Sequence, residues 1–371
     1  MTLYTGFDLL DGDGRHRDMA IRIEGGAVVE LRPRAAGDAG EDLSGDALIC
    51  PGFIDLQVNG GAGRMLSECR TVGDVSGLAR AHLKGGTLGL LPTLISDTPE
   101  TTRRIIDLVA DAARADPAIL GLHLEGPHLA VAGAHDPSQL RPMTEADLAL
   151  YLDAAGRLPR LMITLAPEQA TTAQIARLAG AGILVSLGHT GCSYEEALAA
   201  FDAGARGTTH LFNAMSGLHH RAPGLVGAAL DRARVIGLIA DRHHVHPSAM
   251  RLALKARPGA ICLVSDAMAV AGTGEDDLLL NGRRITRAAG RLTLADGTLA
   301  GADLTLWDAV QNLVSECGLP LEAALPHAFD TPHRALHGAP NRVTAGQPAR
   351  LLMIREGRLA ATHTGDGWQP V

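Results

Sequence analysis

Several strand-sized apolar segments of this sequence end in side chains that can bind a metal ion or transfer a proton. One such end means little, because a lone histidine there is usually a hydrogen-bonded structural residue. Five ends that carry histidine, glutamate or aspartate are harder to explain structurally and indicate a shared site. These ends are His123-Leu124-Glu125, Gly188-His189-Thr190, Thr209-His210-Leu211, Asp241-Arg242-His243-His244 and Ser265-Asp266-Ala267.

Glu125, His189 and His210 offer one carboxylate and two imidazoles, which are ligand types that hold zinc and similar divalent metals. Three protein ligands leave a position open, as in catalytic rather than structural zinc sites. A metal held in this way lowers the pKa of water from about 15.7 to about 7. Asp266 can take the water proton and deliver it to a leaving nitrogen. The alternative role for Asp266, a cap on the following loop, fits this context less well.

The elements that must position these residues alternate between apolar strands and amphipathic helices. Eight such units predict an α/β protein with a closed (β/α)8 TIM barrel, whose active site gathers at the carboxyl ends of the strands. An open doubly wound sheet is the rival, but no Gly-x-Gly-x-x-Gly follows the first strand. Turn-rich residues 272–300 interrupt the rhythm and predict a hairpin insertion. The eight candidate strands are 53–58, 87–93, 119–124, 161–165, 183–187, 206–210, 235–240 and 261–265.

The two ends of the chain have a different pattern, with short alternating strands joined by turns such as Gly25-Gly26 and Glu356-Gly357. Chain termini commonly lie close together, so the two ends can pair. We therefore expect residues 1–50 and 338–371 to form a small β-sandwich domain. Residues 51–337 then form the metal-dependent barrel.

Composition excludes several other classes of function. The formal net charge is −8 and no long basic run occurs, so we expect no nucleic-acid partner. The five cysteines are odd in number and widely spaced, which argues against a disulfide framework or a thiolate zinc site. No signal peptide is visible and the apolar runs are only strand-sized, so we expect a cytoplasmic protein without a membrane span.

Longer motifs extend around these strand ends. They are His123-Leu124-Glu125-Gly126-Pro127, Gly188-His189-Thr190, Thr209-His210-Leu211-Phe212-Asn213-Ala214-Met215 and Ser265-Asp266-Ala267. Together they closely resemble the N-acetylglucosamine 6-phosphate deacetylases of the amidohydrolase superfamily. Pro51-Gly52-Phe53-Ile54-Asp55, Thr164-Leu165-Ala166-Pro167-Glu168 and Asp296-Gly297-Thr298-Leu299-Ala300-Gly301 look like further segments of that family. The resemblance runs in register from about residue 1 to 360.

The resemblance implies an enzyme that hydrolyses the N-acetyl group of an amino-sugar phosphate, which is a small-molecule substrate. It also implies a homodimer with one divalent metal ion per subunit, and zinc (Zn2+) is the metal we expect. Glu125, His189 and His210 match the metal ligands, and Asp266 matches the catalytic acid and base. His135 matches a histidine that contacts the acetyl carbonyl, where a donor stabilises the developing oxyanion. The positions that match sugar and phosphate contacts are Asn213, Ala214, Arg221 and His244.

Two departures from related sequences stand out. After Pro127 this chain reads His128-Leu129-Ala130-Val131-Ala132-Gly133-Ala134, where many relatives have an aromatic residue and a lysine-rich stretch, which leaves the exact hexosamine open. In the first strand, Gln57 and Asn59 stand where many amidohydrolases have the His-x-His that binds a second metal. Neutral amides are weak zinc ligands, so this candidate second-metal region predicts a single-metal enzyme.

Three alternatives stay open on the sequence. The substrate can be N-acetylgalactosamine 6-phosphate, which differs at one hydroxyl. A hydrolase of another amide, such as a cyclic amide, is less favoured, because the fourth strand, Leu161–Leu165, lacks the lysine that such enzymes carboxylate. A non-catalytic barrel is also less favoured, since every expected ligand and the acid/base residue are present.

Overall fold

The computed structural model describes residues 1–280 and 282–371. Its central sheet has eight parallel strands in sequential order, so the predicted (β/α)8 barrel is confirmed. The sheet closes where Asp266 N donates to Gln57 O over 3.0 Å and Asn59 N donates to Ala267 O over 2.9 Å. The barrel strands are Phe53–Val58, Thr87–Ile95, Leu122–Glu125, Leu161–Leu165, Leu184–Leu187, Gly207–Thr208, Val235–Leu238 and Ile261–Leu263.

Helices follow the barrel strands and cover the outside of the barrel. Their starts carry the expected caps: Thr98 accepts from Thr101 N ahead of Pro99, and Ser193 forms a capping box with Glu196. Apolar faces of these helices, such as Ile105 and its neighbours, are buried against the strands. The α-helices are Val72–Arg80, Pro99–Ala115, Glu145–Ala155, Thr172–Gly180, Tyr194–Asp202, Gly224–Arg232, Pro247–Ala256, Leu306–Cys317, Leu321–Ala324 and Pro326–His337. Short 3-10 turns occur at Leu66–Glu68, Leu83–Gly85, Pro137–Gln139 and Pro167–Gln169.

The two chain ends share one mixed eight-stranded sheet. Leu48–Pro51 and Leu351–Arg355 pair antiparallel and join the two ends. This sheet buries a separate apolar cluster that includes Phe7, Ile21 and Ile49. The terminal sheet thus has its own core. That the domain boundaries lie at residues 50 and 338 remains a prediction. Its strands are Thr2–Asp11, Gly14–Glu24, Ala27–Pro33, Glu41–Asp42, Leu48–Pro51, Leu351–Arg355, Arg358–His363 and Trp368–Pro370.

An insertion follows the eighth barrel strand, in the region where the sequence predicts one. It is a four-stranded antiparallel sheet, made of Asp277–Leu280, Arg283–Ala288, Arg291–Thr293 and Leu299–Ala302; Asn281, in the predicted hairpin, lies outside the described residues. Leu280, Ile285 and Leu292 form its apolar face and pack with Met65 and Met268 from the barrel. A two-stranded ribbon, Gly60–Gly61 with Arg64–Met65, lies after the first barrel strand. Across the described part of the chain, no helix has both the length and the apolar character required to cross a membrane.

Candidate active site

The candidate ligands stand at the carboxyl ends of three barrel strands. Glu125 is the last residue of the third strand, and His189 and His210 each lie two residues beyond a strand. His189 and His210 have positive φ values of 49° and 33°, and Asp266, beyond the eighth strand, has a φ of 50°. Such left-handed backbone costs side-chain-bearing residues about 1–3 kcal/mol each and tends to cluster at functional sites. Packing therefore maintains bends that turn these side chains into the barrel mouth.

The three ligand side chains meet at one point. His189 Nε2 lies 3.0 Å from His210 Nε2, and Glu125 Oε1 lies 3.0 Å from His210 Nε2 and 3.2 Å from His189 Nε2. Their ligand atoms all lie within 4.8 Å of one another, and all three residues are buried. Two facing imidazole nitrogens beside a carboxylate form a donor set that suits a divalent metal. Within residues 1–280 and 282–371, this is the group of side chains that could hold a metal ion.

The imidazole of His189 is held in the orientation that metal binding needs. Its Nδ1–H donates to Val131 O over 2.8 Å, which leaves the lone pair on Nε2. Such contacts fix the tautomer and the ring orientation of a metal ligand. The Nδ1 of His210 is buried and has no hydrogen-bond partner among the described residues.

Burial by itself would raise the pKa of Glu125. The close imidazoles of His135, His189 and His210 outweigh it and hold the pKa of Glu125 well below its usual range. The carboxylate is therefore ionised at neutral pH, the state in which it can bind a cation.

Asp266 lies beside this cluster without belonging to it. Asn59 Nδ2 donates to Asp266 Oδ1 over 2.7 Å, and Gln57 Nε2 donates to the same oxygen over 3.2 Å. Burial, and then the charge of Glu125, raise the pKa of Asp266, which makes the carboxylate a stronger base. Gln57 Nε2 also donates to Glu125 Oε1 over 3.0 Å. Gln57 thus bridges the two carboxylates as a hydrogen-bond donor, and Asn59 donates to Asp266 alone.

His135 points at the same cluster from a loop. Ser96 N–H donates to His135 Nδ1 over 3.2 Å, so the ring proton sits on Nε2, which lies 3.6 Å from Glu125 Oε2. Burial lowers the pKa of His135, so the ring is a neutral donor at pH 7. Ser96 was not singled out from the sequence; its only signal is its place directly after the second barrel strand.

These groups line one cavity of about 320 Å³ at the barrel mouth. Its walls include Asn213, Ala214 and His244, together with Thr298 and Leu299 from the insertion. The sequence-predicted site residues that the structure brings together here are Asn59, Glu125, His135, His189, His210, Asn213, Ala214, His244 and Asp266.

Asp241 orients His244 in this wall. His244 Nδ1 donates to Asp241 Oδ2 over 2.6 Å, and the backbone N–H groups of His243 and His244 donate to Oδ1, each over 2.8 Å. The Nε2 edge of His244 is therefore the edge left for other contacts. Sequence reasoning gave Asp241 no role, although the Asp-x-x-His spacing directly after a strand was the available signal.

Arg221 is the predicted site residue that the structure leaves apart. It is exposed in the loop 217–222 and does not line the cavity. Gln57, in contrast, is buried below the cavity and reaches it through its contacts with both carboxylates.

Comparison with known proteins identifies the family of this chain. Residues 48–328 match the model of the amidohydrolase family, and the chain belongs to that family. An N-acetylgalactosamine-6-phosphate deacetylase from Shewanella sp. (strain ANA-3) is 37% identical over 344 residues, covering 90% of this chain and 86% of the relative. An N-acetylglucosamine-6-phosphate deacetylase from Haemophilus influenzae is 32% identical over 367 residues, covering 96% and 92%.

Solved structures agree with these relatives. The crystal structure of N-acetylglucosamine-6-phosphate deacetylase from Pasteurella multocida superposes with a TM-score of 0.93 at 29% identity and covers 100% of both chains. The similarity therefore includes the terminal sheet as well as the barrel.

Proposed function

We propose that this protein hydrolyses the N-acetyl group of N-acetylglucosamine 6-phosphate, giving glucosamine 6-phosphate and acetate. The observation that carries the proposal is the convergence of Glu125, His189 and His210 next to Asp266 and His135 in one cavity. The relatives named above, which match this chain over nearly its whole length, support it.

We infer that Glu125, His189 and His210 hold one divalent metal ion per subunit, with zinc the best match to their donor types. When bound, the ion supplies Lewis-acid activation of water and of the amide carbonyl. Gln57 and Asn59 direct their amide N–H groups at carboxylates, so we assign them to support of Glu125 and Asp266 rather than to a second metal.

Asp266 and His135 divide the remaining chemistry. As water attacks the acetyl carbonyl carbon, Asp266 accepts its proton, and its raised pKa favours this step. The neutral His135 donates Nε2–H to the carbonyl oxygen as that oxygen gains charge. The C–N bond then breaks while Asp266 returns the proton to the nitrogen, which leaves a free amine and acetic acid, and the acid loses its proton to solvent to give acetate.

The sugar phosphate is proposed to lie against Asn213, Ala214 and His244, with Arg221 at its phosphate. Arginine suits a phosphate because its planar fork donates two parallel hydrogen bonds. Since Arg221 is exposed outside the cavity of a single chain, its phosphate contact requires movement of its loop or assembly of the proposed homodimer. We place the enzyme in the cytoplasm, where its five free cysteines stay reduced.

N-acetylgalactosamine 6-phosphate is the second candidate substrate. The specific observation in its favour is the 37% identity to the Shewanella deacetylase of that name. Direct comparison of the two epimers decides between them. We expect acetate release from N-acetylglucosamine 6-phosphate with the higher kcat/KM, and a higher value for the galacto epimer would reassign the substrate. No acetate from either sugar would contradict the deacetylase proposal.

The proposed metal stoichiometry has its own test. Metal-free protein titrated with zinc should reach full activity near one equivalent per subunit. Activity that rises in proportion up to two equivalents would contradict the single-metal proposal and would assign ligand roles to Gln57 or Asn59. Zinc content measured on the same samples ties the activity to bound rather than added metal.

A further inference from the structure

A second cavity, of about 250 Å³, lies at the opposite end of the barrel, where the terminal sheet meets the amino-terminal ends of the strands. Ile54 and Leu88, near the starts of the first two barrel strands, form one wall. Val343 and Leu351, from the chain's last segment, form another. None of the residues assigned to the active site lines this cavity.

The ionisable residues around this cavity are all basic. Among the described residues no aspartate or glutamate lines it, whereas Arg342, Arg350, His333 and His337 do. Arg342 is neutralised by Asp13, at 2.7 Å. Arg350 forms no ion pair within the described chain, and the one hydrogen bond of its guanidinium group there goes to Leu88 O. Most of its N–H groups are therefore left for another acceptor, although burial lowers the pKa of this arginine.

His337 contributes a second donor. Arg160 Nη2 donates to His337 Nδ1 over 3.0 Å, which forces the ring proton onto Nε2. His337 lies at the exposed rim of the cavity; partial desolvation, then the nearby His333 and Arg160, lower its pKa to about 4, so this ring is neutral at pH 7. His333 donates its own Nδ1–H to Ala339 O over 2.8 Å, and its ring centroid lies 4.4 Å from that of His337.

These groups specify the ligand chemistry. Arg350 has no carboxylate within ion-pair distance, although the charge of Asp116 acts on it from further away, and it lies beside the neutral donor His337; a singly charged anion therefore suits the cavity. A phosphate monoester carries about −1.5 to −2 at neutral pH and matches less well. Apolar walls reject a hydroxyl-rich body, because buried hydroxyl groups without partners are costly. We propose that this junction cavity binds a small monocarboxylate with an apolar body, its carboxylate on Arg350 and His337 and its body against Ile54, Leu88 and Val343.

Binding of hexanoate to the metal-loaded enzyme tests this proposal, with hexanol and inorganic phosphate as controls. The proposal predicts that hexanoate binds at least tenfold more tightly than either control in calorimetry. It also predicts a higher thermal midpoint, because a ligand of the native state stabilises it by mass action. Crystals soaked with 6-bromohexanoate should show bromine in the junction cavity. Bromine found only in the active-site cavity, or tighter binding of phosphate, would overturn the proposal.

Two variants make the test specific to the site. Arg350→Gln should weaken hexanoate binding at least tenfold, and His337→Phe should weaken it severalfold while it leaves the guanidinium in place. Arg342→Ala is the matched control, because that arginine is already paired with Asp13, and it should change the affinity less than twofold. Since Arg350 also donates to Leu88 O, folding of each variant is checked by circular dichroism and thermal unfolding. Unchanged hexanoate binding in both folded variants would overturn the proposal, whatever the enzyme's substrate proves to be.

Discussion

The two ends of the barrel carry cavities of similar size but opposite chemistry. The cavity at the carboxyl ends of the strands, about 320 Å³, gathers Glu125 and Asp266 with several histidines. The junction cavity, about 250 Å³, has arginines and histidines on apolar walls. The first is built by residues at successive strand ends, so its chemistry follows the barrel's repeat. The second is built by segments far apart in sequence, so only their docking creates it. We therefore expect changes at the first to affect rate and changes at the second to affect stability.

The largest expected effect comes from loss of a proposed metal ligand. His189→Ala should release the metal and lower kcat/KM about 10⁴-fold, because Lewis-acid activation contributes several kcal/mol and each 1.36 kcal/mol is a factor of ten. Metal content and acetate release measure both effects. His333→Ala, a matched change at the junction, should retain metal and activity. Full metal content in the His189 variant would remove it from the ligand set.

Asp266→Asn should keep the metal yet lose most of the activity. General acid–base catalysis contributes roughly 10²–10⁴-fold, so we expect kcat to fall by that amount. The amide also keeps an oxygen that can accept from Asn59 and Gln57, which favours an intact fold. The exposed Asp276→Asn is the control. Near-normal turnover by the Asp266 variant would exclude its role as the base.

Arg221→Ala tests whether a residue that lies outside the cavity of one chain still belongs to the active site. Hydrogen bonds to charged groups contribute about 1.5–3 kcal/mol, so kcat/KM should fall about 10- to 150-fold for the phosphorylated sugar. The unphosphorylated sugar should lose little. Equal losses on both sugars would show that Arg221 does not bind the phosphate. His220→Ala, in the same exposed loop, serves as the control.

Asp241→Asn tests whether a buried carboxylate acts through its neighbour. The neutral amide accepts the hydrogen bond from His244 Nδ1–H more weakly than the carboxylate does, so the imidazole is held less firmly, and we expect KM to rise about tenfold with a smaller change in kcat. His243→Ala, which leaves the Asp241–His244 contact intact, should change neither value by more than twofold. A fall in thermal midpoint with unchanged KM would instead give Asp241 a purely structural role.

The smallest effect on rate is expected at the junction. Arg160 donates to Leu336 O over 2.7 Å and to His337, so Arg160→Ala should lower the free energy of unfolding by about 1 kcal/mol. Its kcat/KM should stay within twofold of wild type. Denaturant unfolding and acetate release measure the two quantities, with the exposed Arg103→Ala as control. A large loss of activity would contradict the expectation that changes at the junction affect stability and changes at the active-site end affect rate.

Much of the barrel could be predicted from local pattern. The eight apolar segments match the eight strands within a few residues, because each is buried on both faces and needs no alternation. The sixth strand is the exception: residues 206–210 were expected, and only Gly207–Thr208 pairs as a strand. The chain leaves the sheet just before His210, whose left-handed backbone cannot continue a strand.

The terminal sheet was predicted as a pairing of the two chain ends, and that pairing is present. Its strand order was not predictable, since Leu48–Pro51 lies between Thr2–Asp11 and Leu351–Arg355 rather than next to its sequence neighbours. Register between segments about 300 residues apart depends on which apolar faces meet in the core, and no local signal encodes that.

By itself, the sequence determined which residues stand at the strand ends, because a parallel barrel brings all its carboxyl ends to one face. Residue type then set the chemistry there: imidazole and carboxylate for a metal, and a separate carboxylate for the proton. Only the tertiary structure decided how those groups are aimed. Ser96 sets the His135 tautomer, the carbonyl of Val131 orients His189, and Arg350 is left without an ion-pair partner at the junction. The first two depend on contacts between segments far apart in sequence, and the third depends on which segments pack around Arg350, so these features arise only when the chain has packed.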